Sequence, residues 1–247
     1  MKAFVIPDVH LKPQMVEDAE RLMKEIGADR AVCLMDLADD WNRQFDLDLY
    51  RDTFDAAIRF ARAFPETLWC FGNHDLSYVW KQPESGYSYF AGDLVRKKLL
   101  QLRQALPREE QMAVIHRIDG VLFLHGGLTE DFVRTYVTER EESLKDADLV
   151  IRAVNKMGEA ELWQDTSPIW HRPQYSYMKM YGEGSLLQVA GHTPVERILR
   201  RGNVISCDVF STWRDGSPIG TREYLLIDTV TGVFSGIRAV FPPTPSL

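Results

Sequence analysis

The chain has 247 residues, 45% of them hydrophobic, and a formal net charge of −7. That is enough apolar material for a sizeable core, with no run long enough to span a bilayer, so no membrane partner is expected. The acidic balance and the lack of a long Lys/Arg block argue against gripping a nucleic-acid backbone; Arg96-Lys97-Lys98 reads as a solvated helix face.

Strand and helix alternate from the start. An apolar run at residues 3–6 is followed by Val16, Ala19, Leu22, Met23 and Ile26 at helical spacing, with Gly27 as the stop. A second strand (31–35) precedes a helix with Leu47, Tyr50, Phe54, Ala57, Ile58, Ala61 and Phe64 inward, ended by Pro65. After a strand at 67–71, a third apolar helix face runs from 94 to 106. Strands at 112–118 and 121–124 are joined by an Asp119-Gly120 turn. Residues 129–157 read as charged helices, with Glu139-Arg140-Glu141-Glu142 as a solvated face, and 163–184 as an ordered aromatic loop. Strands return at 186–190, 198–199, 203–208, 222–228 and 233–240, and the Pro-rich tail from Phe241 leaves as an extended segment. Cys33, Cys70 and Cys207 form no Cys-x-x-Cys pair, which fits inert core thiols in a cytoplasmic protein. Met1-Lys2-Ala3-Phe4 enters a strand directly, with no signal peptide expected.

Five short segments concentrate the chemistry: Asp8-Val9-His10, Asp36-Leu37-Ala38-Asp39, Gly72-Asn73-His74-Asp75, His125-Gly126-Gly127 and Gly191-His192-Thr193-Pro194. Each sits at or just after a predicted strand, so carboxylates, imidazoles and one amide should gather where ligands bind in open α/β sheets. Mixed nitrogen and oxygen donors suit Mn²⁺, Fe or Zn²⁺ better than Ca²⁺.

This set, in this order, resembles the calcineurin-like metallophosphoesterases, with the phosphoprotein phosphatases and symmetrical diadenosine tetraphosphatases as the most similar branch. His125-Gly126-Gly127-Leu128, Ile169-Trp170-His171-Arg172 and Gly191-His192-Thr193-Pro194 carry the resemblance to that branch. It implies an α/β four-layer sandwich, two mixed β-sheets flanked by helices, built as a single domain over 1–247 with loop insertions at about 76–92 and 129–185. It also implies two divalent metal ions, Mn²⁺ first with Fe or Zn²⁺ as alternatives. Asp8 and His10 would hold the first, Asp36 would bridge both, and Asn73, His125 and His192 would complete the second. A metal-bridging hydroxide would attack phosphorus while His74, oriented by Asp39, protonates the leaving oxygen. Arg172 would grip the phosphate.

The sequence departs from that pattern in places. Asp40 stands where the protein phosphatases carry an arginine, leaving Arg43 as a possible substitute, and Pro7, Leu11 and Met35 replace small residues. The substrate therefore stays open between a phosphopeptide, a nucleotide or dinucleoside polyphosphate, another small phosphorylated molecule, and a phosphodiester. A catalytically silent metal-binding scaffold is the non-enzyme alternative. Asp75 and Asp208 are expected beside the site or in turns, and His171 in the loop or at the substrate. His116 is expected as a half-exposed strand residue. Tyr78, Trp80, Tyr87, Tyr89 and Phe90 are expected to pack under a loop rather than stack on a substrate.

Overall fold

The alternating apolar runs of the first seventy residues fold as a parallel block. Strand β1 (Lys2–Ile6) leads through helix α1 (Pro13–Ile26) to β2 (Arg30–Cys33), and α2 (Leu47–Ala63) leads on to β3 (Leu68–Cys70). Pro13 opens α1 and Gly27 closes it with φ 62°, while Asp46 caps α2 by accepting from Leu49 N at 3.1 Å. The computed structural model describes residues 1–137 and 141–240. Residues 139 and 140 of the acidic stretch, and the tail from 241, lie outside them.

Helices α3 (Asn73–Trp80) and α4 (Gly92–Ala105) follow, then strands β4 (Met112–Ala113), β5 (Ile115–Ile118) and β6 (Val121–Leu124). Helices α5 (Glu130–Tyr136), α6 (Ala147–Val154) and α7 (Glu159–Leu162) precede β7 (Leu187–Ala190), β8 (Leu199–Arg201), β9 (Val204–Ser206), β10 (Glu223–Asp228) and β11 (Phe234–Arg238). One sheet has the order β11-β10-β1-β2-β3-β4 and the other β5-β6-β7-β9-β8. Both are mixed: β1, β2, β3 and β4 run parallel, as do β6, β7 and β9, with antiparallel pairs at the margins.

Strand periodicity sorts the side chains into layers. Ala3, Val5, Val32, Leu34 and Leu225 of the first sheet's side meet Phe123, Val189 and Ile205 of the second between the sheets. Phe4, Ile6, Ala31 and Cys33 point the other way, onto Met15, Phe54, Phe60 and Leu102 of the outer helices. Leu122 and Leu124 pack outward on Phe132, Val150 and Val154. Each such fully buried side chain contributes roughly 1.5–3 kcal/mol. The expected architecture, two mixed sheets flanked by helices, is what forms.

Three expectations need correction. The apolar run 112–118 is two strands in different sheets: the chain changes layer at Val114. Asn155 fixes that switch, its Oδ1 accepting from Val114 N and Ile115 N at 3.1 and 2.9 Å. Residues 76–80, expected in the loop insertion at about 76–92, belong to helix α3. His116 is buried, not half-exposed, with Nε2 donating to Trp69 O at 3.1 Å across to the first sheet.

Candidate active site

The C-terminal ends of β1, β2 and β3 from one sheet, and of β6, β7 and β9 from the other, converge on one cavity edge. They deliver Asp8 and His10, Asp36 and Asp39, Asn73 and His74, His125, His192 and Asp208 in turn. The backbone there is unusual. His10, Leu11, Met35, Asp36, Asp39 and His192 all have positive φ, between 42° and 64°. Such conformations cost energy in non-glycine residues and mark places where the surroundings dictate side-chain direction.

Two glycines let the carboxylates pass. A Cβ on Gly72 would lie 1.9 Å from Asp36 Oδ1, and one on Gly191 would lie 1.9 Å from Asp8 Oδ1. Asp36 Oδ1 also accepts from His74 N at 3.0 Å, and Asp8 Oδ2 from His192 N at 2.7 Å. Each carboxylate is therefore pinned by the backbone of the segment it touches.

Two imidazoles have one ring nitrogen tied to a backbone carbonyl and the other directed at Asp36. His10 Nδ1 donates to Asp39 O at 3.0 Å, leaving Nε2 at 3.8 Å from Asp36 Oδ2. His125 Nδ1 donates to Leu34 O at 3.1 Å, and its Nε2 meets Asn73 Oδ1 at 2.9 Å and Asp36 Oδ2 at 3.1 Å. Two acceptor oxygens facing that nitrogen call for a positive species between them, either a second ring proton or a cation. Orientation of a ligand histidine by a backbone carbonyl is the usual arrangement around bound metals.

Two buried polar atoms, Asp8 Oδ1 and His192 Nε2, have no hydrogen-bond partner. Burial, then Asp208, pushes the Asp8 carboxyl well above its usual range, although His125 opposes this. Burial, then His125 and Arg172, holds His192 well below 6.5, and burial also lowers His10. Both rings are thus neutral and competent as ligands. Asp36 is the opposite case: burial works against its charge, but His125, His74 and His10 hold it far below the usual carboxylate range. Donor atoms of His10, Asp36 and His74 lie within 4.8 Å of one another, as do those of Asp36, His125 and His192. Asp36 belongs to both groups. The orphaned atoms and this donor set fit divalent cations.

His74 is better placed for protons than for metal. Its Nδ1 is 3.0 Å from Asp39 Oδ2 and 3.6 Å from Glu84 Oε1. Burial disfavours the imidazolium, but Asp36, Asp39 and Glu84 together outweigh it and push the ring up to about 10. Asp39 is itself held by two phenols, Tyr50 and Tyr78, which donate to its Oδ1 at 2.6 and 2.5 Å. Glu84 Oε1 accepts from Asn73 Nδ2 at 2.6 Å, which turns the amide oxygen toward His125. Sequence reasoning missed Glu84, Tyr50 and Tyr78 as site residues. Only the helical register of Tyr50 and the nearness of Tyr78 to His74 hinted at them.

Among the remaining residues, Arg172 lines the cavity and donates from Nη1 to His192 O at 3.0 Å. Asp208 lines it too, bonded by Ser211 Oγ at 2.8 Å. Asp75 stays behind the site, accepting from Leu37 N at 3.0 Å and Gly72 N at 3.3 Å. Arg43 does not reach inward: it pairs with Asp46 at 3.7 Å. Asp40 is answered instead by Lys12, whose Nζ lies 3.1 Å from its carboxylate. His171 is buried in the loop away from the cavity lining; Tyr78 is buried, but Tyr89 and Phe90 are exposed rather than packed under a loop, and none of Tyr78, Trp80, Tyr87, Tyr89 and Phe90 lines the cavity.

A family model for calcineurin-like phosphoesterases matches residues 1–206. The chain belongs to that family. This phosphoesterase is a hydrolase of phosphoesters, and the family implies divalent metal ions. Among solved structures, it is similar to a cold-active protein-tyrosine phosphatase of a psychrophilic Shewanella species. That likeness has 19% identity and a TM-score of 0.52, covering 96% of this chain and 80% of the other. It is also similar to the I115M mutant of a cold-active protein tyrosine phosphatase, at 18% identity and TM-score 0.52, covering 96% of this chain and 80% of that one. A novel archaeal phosphodiesterase aligns at 13% identity with a TM-score of 0.45, covering 96% and 99% of the two chains. These likenesses concern the fold. No curated protein sequence matches the chain. Among the described residues, no helix of the phosphoesterase is long and apolar enough to cross a membrane.

Proposed function

We propose that the protein hydrolyses small phosphoesters at a dinuclear centre, with Asp8, His10, Asp36, Asn73, His125 and His192 as metal ligands. The observation that carries this reading is the Asp36 carboxylate, common to both donor groups, beside buried Asp8 and His192 atoms that lack partners. Mn²⁺ is the cation we assign first, because mixed imidazole, carboxylate and amide donors suit it, with Fe or Zn²⁺ as alternatives. When bound, the cations supply Lewis acidity to the phosphoryl group and acidify a water that serves as nucleophile.

The chain's own groups do the rest. Arg172 holds a phosphoryl oxygen through the guanidinium nitrogens not spent on His192 O. His74, with Nδ1 held by Asp39, delivers the Nε2 proton to the leaving oxygen, and Tyr50 and Tyr78 keep Asp39 fixed while it does so. General acid catalysis of this kind contributes roughly 10²–10⁴-fold. A cavity of about 800 Å³ is of the size that accepts a nucleotide or another small phosphorylated molecule. We read residues 1–247 as one such domain, with 76–92 and 129–185 as its insertions. The three unpaired buried cysteines suit a reducing, cytoplasmic setting.

The test is direct. Protein loaded with Mn²⁺ should retain two ions per chain and cleave an aryl phosphate. Asp8→Asn and His74→Asn should each lower kcat by at least about 10²-fold. Turnover unchanged in both variants overturns the assignment.

A further inference from the structure

The cavity has a second wall that the catalytic reading leaves unused. Trp41 follows the Asp39-Asp40 pair on the loop after β2, and Trp213 and Arg214 sit on the loop after β9; all three line the same cavity as His10, His74 and Arg172. The two loops are tied together. Thr212 Oγ1 donates to Asp40 Oδ1, Trp41 Nε1 to Thr212 O, and Asn42 Nδ2 to Arg214 O, each at 3.0 Å. A turn closed by Gly216 N to Trp213 O at 2.9 Å and Trp213 N to Ser217 O at 2.8 Å fixes the tip.

This wall has the chemistry of a stacking platform. The indole N–H of Trp41 is satisfied by the neighbouring loop, so it is not a donor toward the cavity. Arg214 lies over that ring at 5.0 Å from the centroid, and no carboxylate among the described residues forms an ion pair with it. Trp213 is 60% exposed. What sets this indole apart from the other exposed aromatics is its place on a braced loop that lines the cavity beside His10, His74 and Arg172. Two acids on the same loops are already engaged, Asp40 by Lys12 and Asp215 by Ser217.

We propose that Trp41, Trp213 and Arg214 form a specificity subsite that stacks a planar aromatic group carried by the phosphoester. This rests on the phosphoesterase reading of the neighbouring centre and names the substrate class that centre takes. The planar group comes from an aryl phosphate or from the base of a nucleotide; the platform recognises the shared flat π-surface, since ring stacking and guanidinium stacking are both tolerant of ring identity.

The experiment measures kcat/KM for phenyl phosphate, a nucleoside 5′-monophosphate and glycerol phosphate in the Mn²⁺-loaded protein. It compares wild type with Trp213→Ala, Trp213→Phe and Arg214→Ala. Comparing ratios cancels the intrinsic reactivity of each leaving group. Stacking contributions of this type predict that Trp213→Ala lowers the aromatic-to-alkyl ratio roughly tenfold, mainly through KM, and that Trp213→Phe restores most of it. A fall for phenyl phosphate alone identifies an aryl source, and a fall for the nucleotide a nucleobase. An unchanged ratio in both Trp213→Ala and Arg214→Ala overturns the proposal. If wild type cleaves none of the three, the phosphoesterase reading has failed on its own. Calorimetric binding of phenylphosphonate against methylphosphonate then decides the subsite: equal affinities in wild type overturn it, and a preference for phenyl lost in Trp213→Ala supports it.

Discussion

Replacing Gly191 by alanine tests how the site is assembled. The new methyl would lie 1.9 Å from Asp8 Oδ1, 2.8 Å from Asp8 Cγ and 3.1 Å from Asp8 Oδ2. Real Cβ atoms essentially never come within 3.0 Å of another heavy atom, so Oδ1 must retreat by at least 1.1 Å, the difference between 3.0 and 1.9 Å. Its other oxygen is held by His192 N at 2.7 Å, so the carboxylate cannot swing aside without breaking that bond. Overpacking of this kind costs about 1–3 kcal/mol of stability. For a chain of this size that is a fall in Tm of roughly 2–10 °C. A displacement of about 1 Å in a reacting assembly costs on the order of 10²-fold in rate. Gly191→Ala should therefore remain folded yet lose about 10²-fold in kcat/KM and bind Mn²⁺ more weakly, as read by calorimetry and circular dichroism melts. Gly158→Ala, where the methyl would meet nothing closer than Glu161 Oε2 at 3.9 Å, is the control and should stay within twofold. Wild-type metal affinity and turnover in folded Gly191→Ala would refute the reasoning.

Two further outcomes are expected. His116 is buried, and burial holds its pKa at about 4 against 6.5 in the unfolded chain, despite bonds to Trp69 and Gln111 that favour the charged ring. The unfolded state therefore takes up more protons between those values, and stability is intact above pH 6.5 and lost as pH falls toward 4. That loss is about 3 kcal/mol, and it should vanish from the pH dependence of urea midpoints in His116→Gln; identical slopes would count against it. Glu84→Ala should weaken Mn²⁺ binding about 10–100-fold by releasing the Asn73 amide, whereas Glu84→Gln, which still offers an acceptor, should recover part of it. Equal affinity in wild type and Glu84→Ala would show that the amide is fixed by other means.

Much of the fold could be read from local pattern because its parallel block obeys period rules. Pro13 and Gly27 bracket α1, and Leu47 to Phe64 keep one apolar face. The convergence of the five polar segments was legible for a related reason: each follows a short buried strand, so chain position alone sends it to the same edge. The layer change at Val114 was not legible. Buried strands in either sheet carry the same uninterrupted apolar run, and the residue that decides, Asn155, lies some forty positions away. His116 misled because alternation suggests an outward face, whereas β5 is covered on one side by the other sheet, where His116 bonds Trp69 O, and on the other by α6. Tyr50 was correctly placed inward by its helical register, but periodicity says nothing about what a buried hydroxyl touches. Trp41 and Trp213 are separated by most of the chain, and only the hydrogen bonds between their loops reveal that they share a wall.

The residues we propose as ligands divide between layers: Asp8, His10, Asp36 and Asn73 extend from one sheet, and His125 and His192 from the other. Divalent cations held by that set would rivet the two halves of the sandwich and offset the repulsion that Asp208 and Asp36 exert on Asp8. By mass action, free cation at one hundred times its dissociation constant adds about 2.7 kcal/mol to the folded state. Withdrawing the cation should therefore lower the resistance of the fold to heat and protease as well as its turnover.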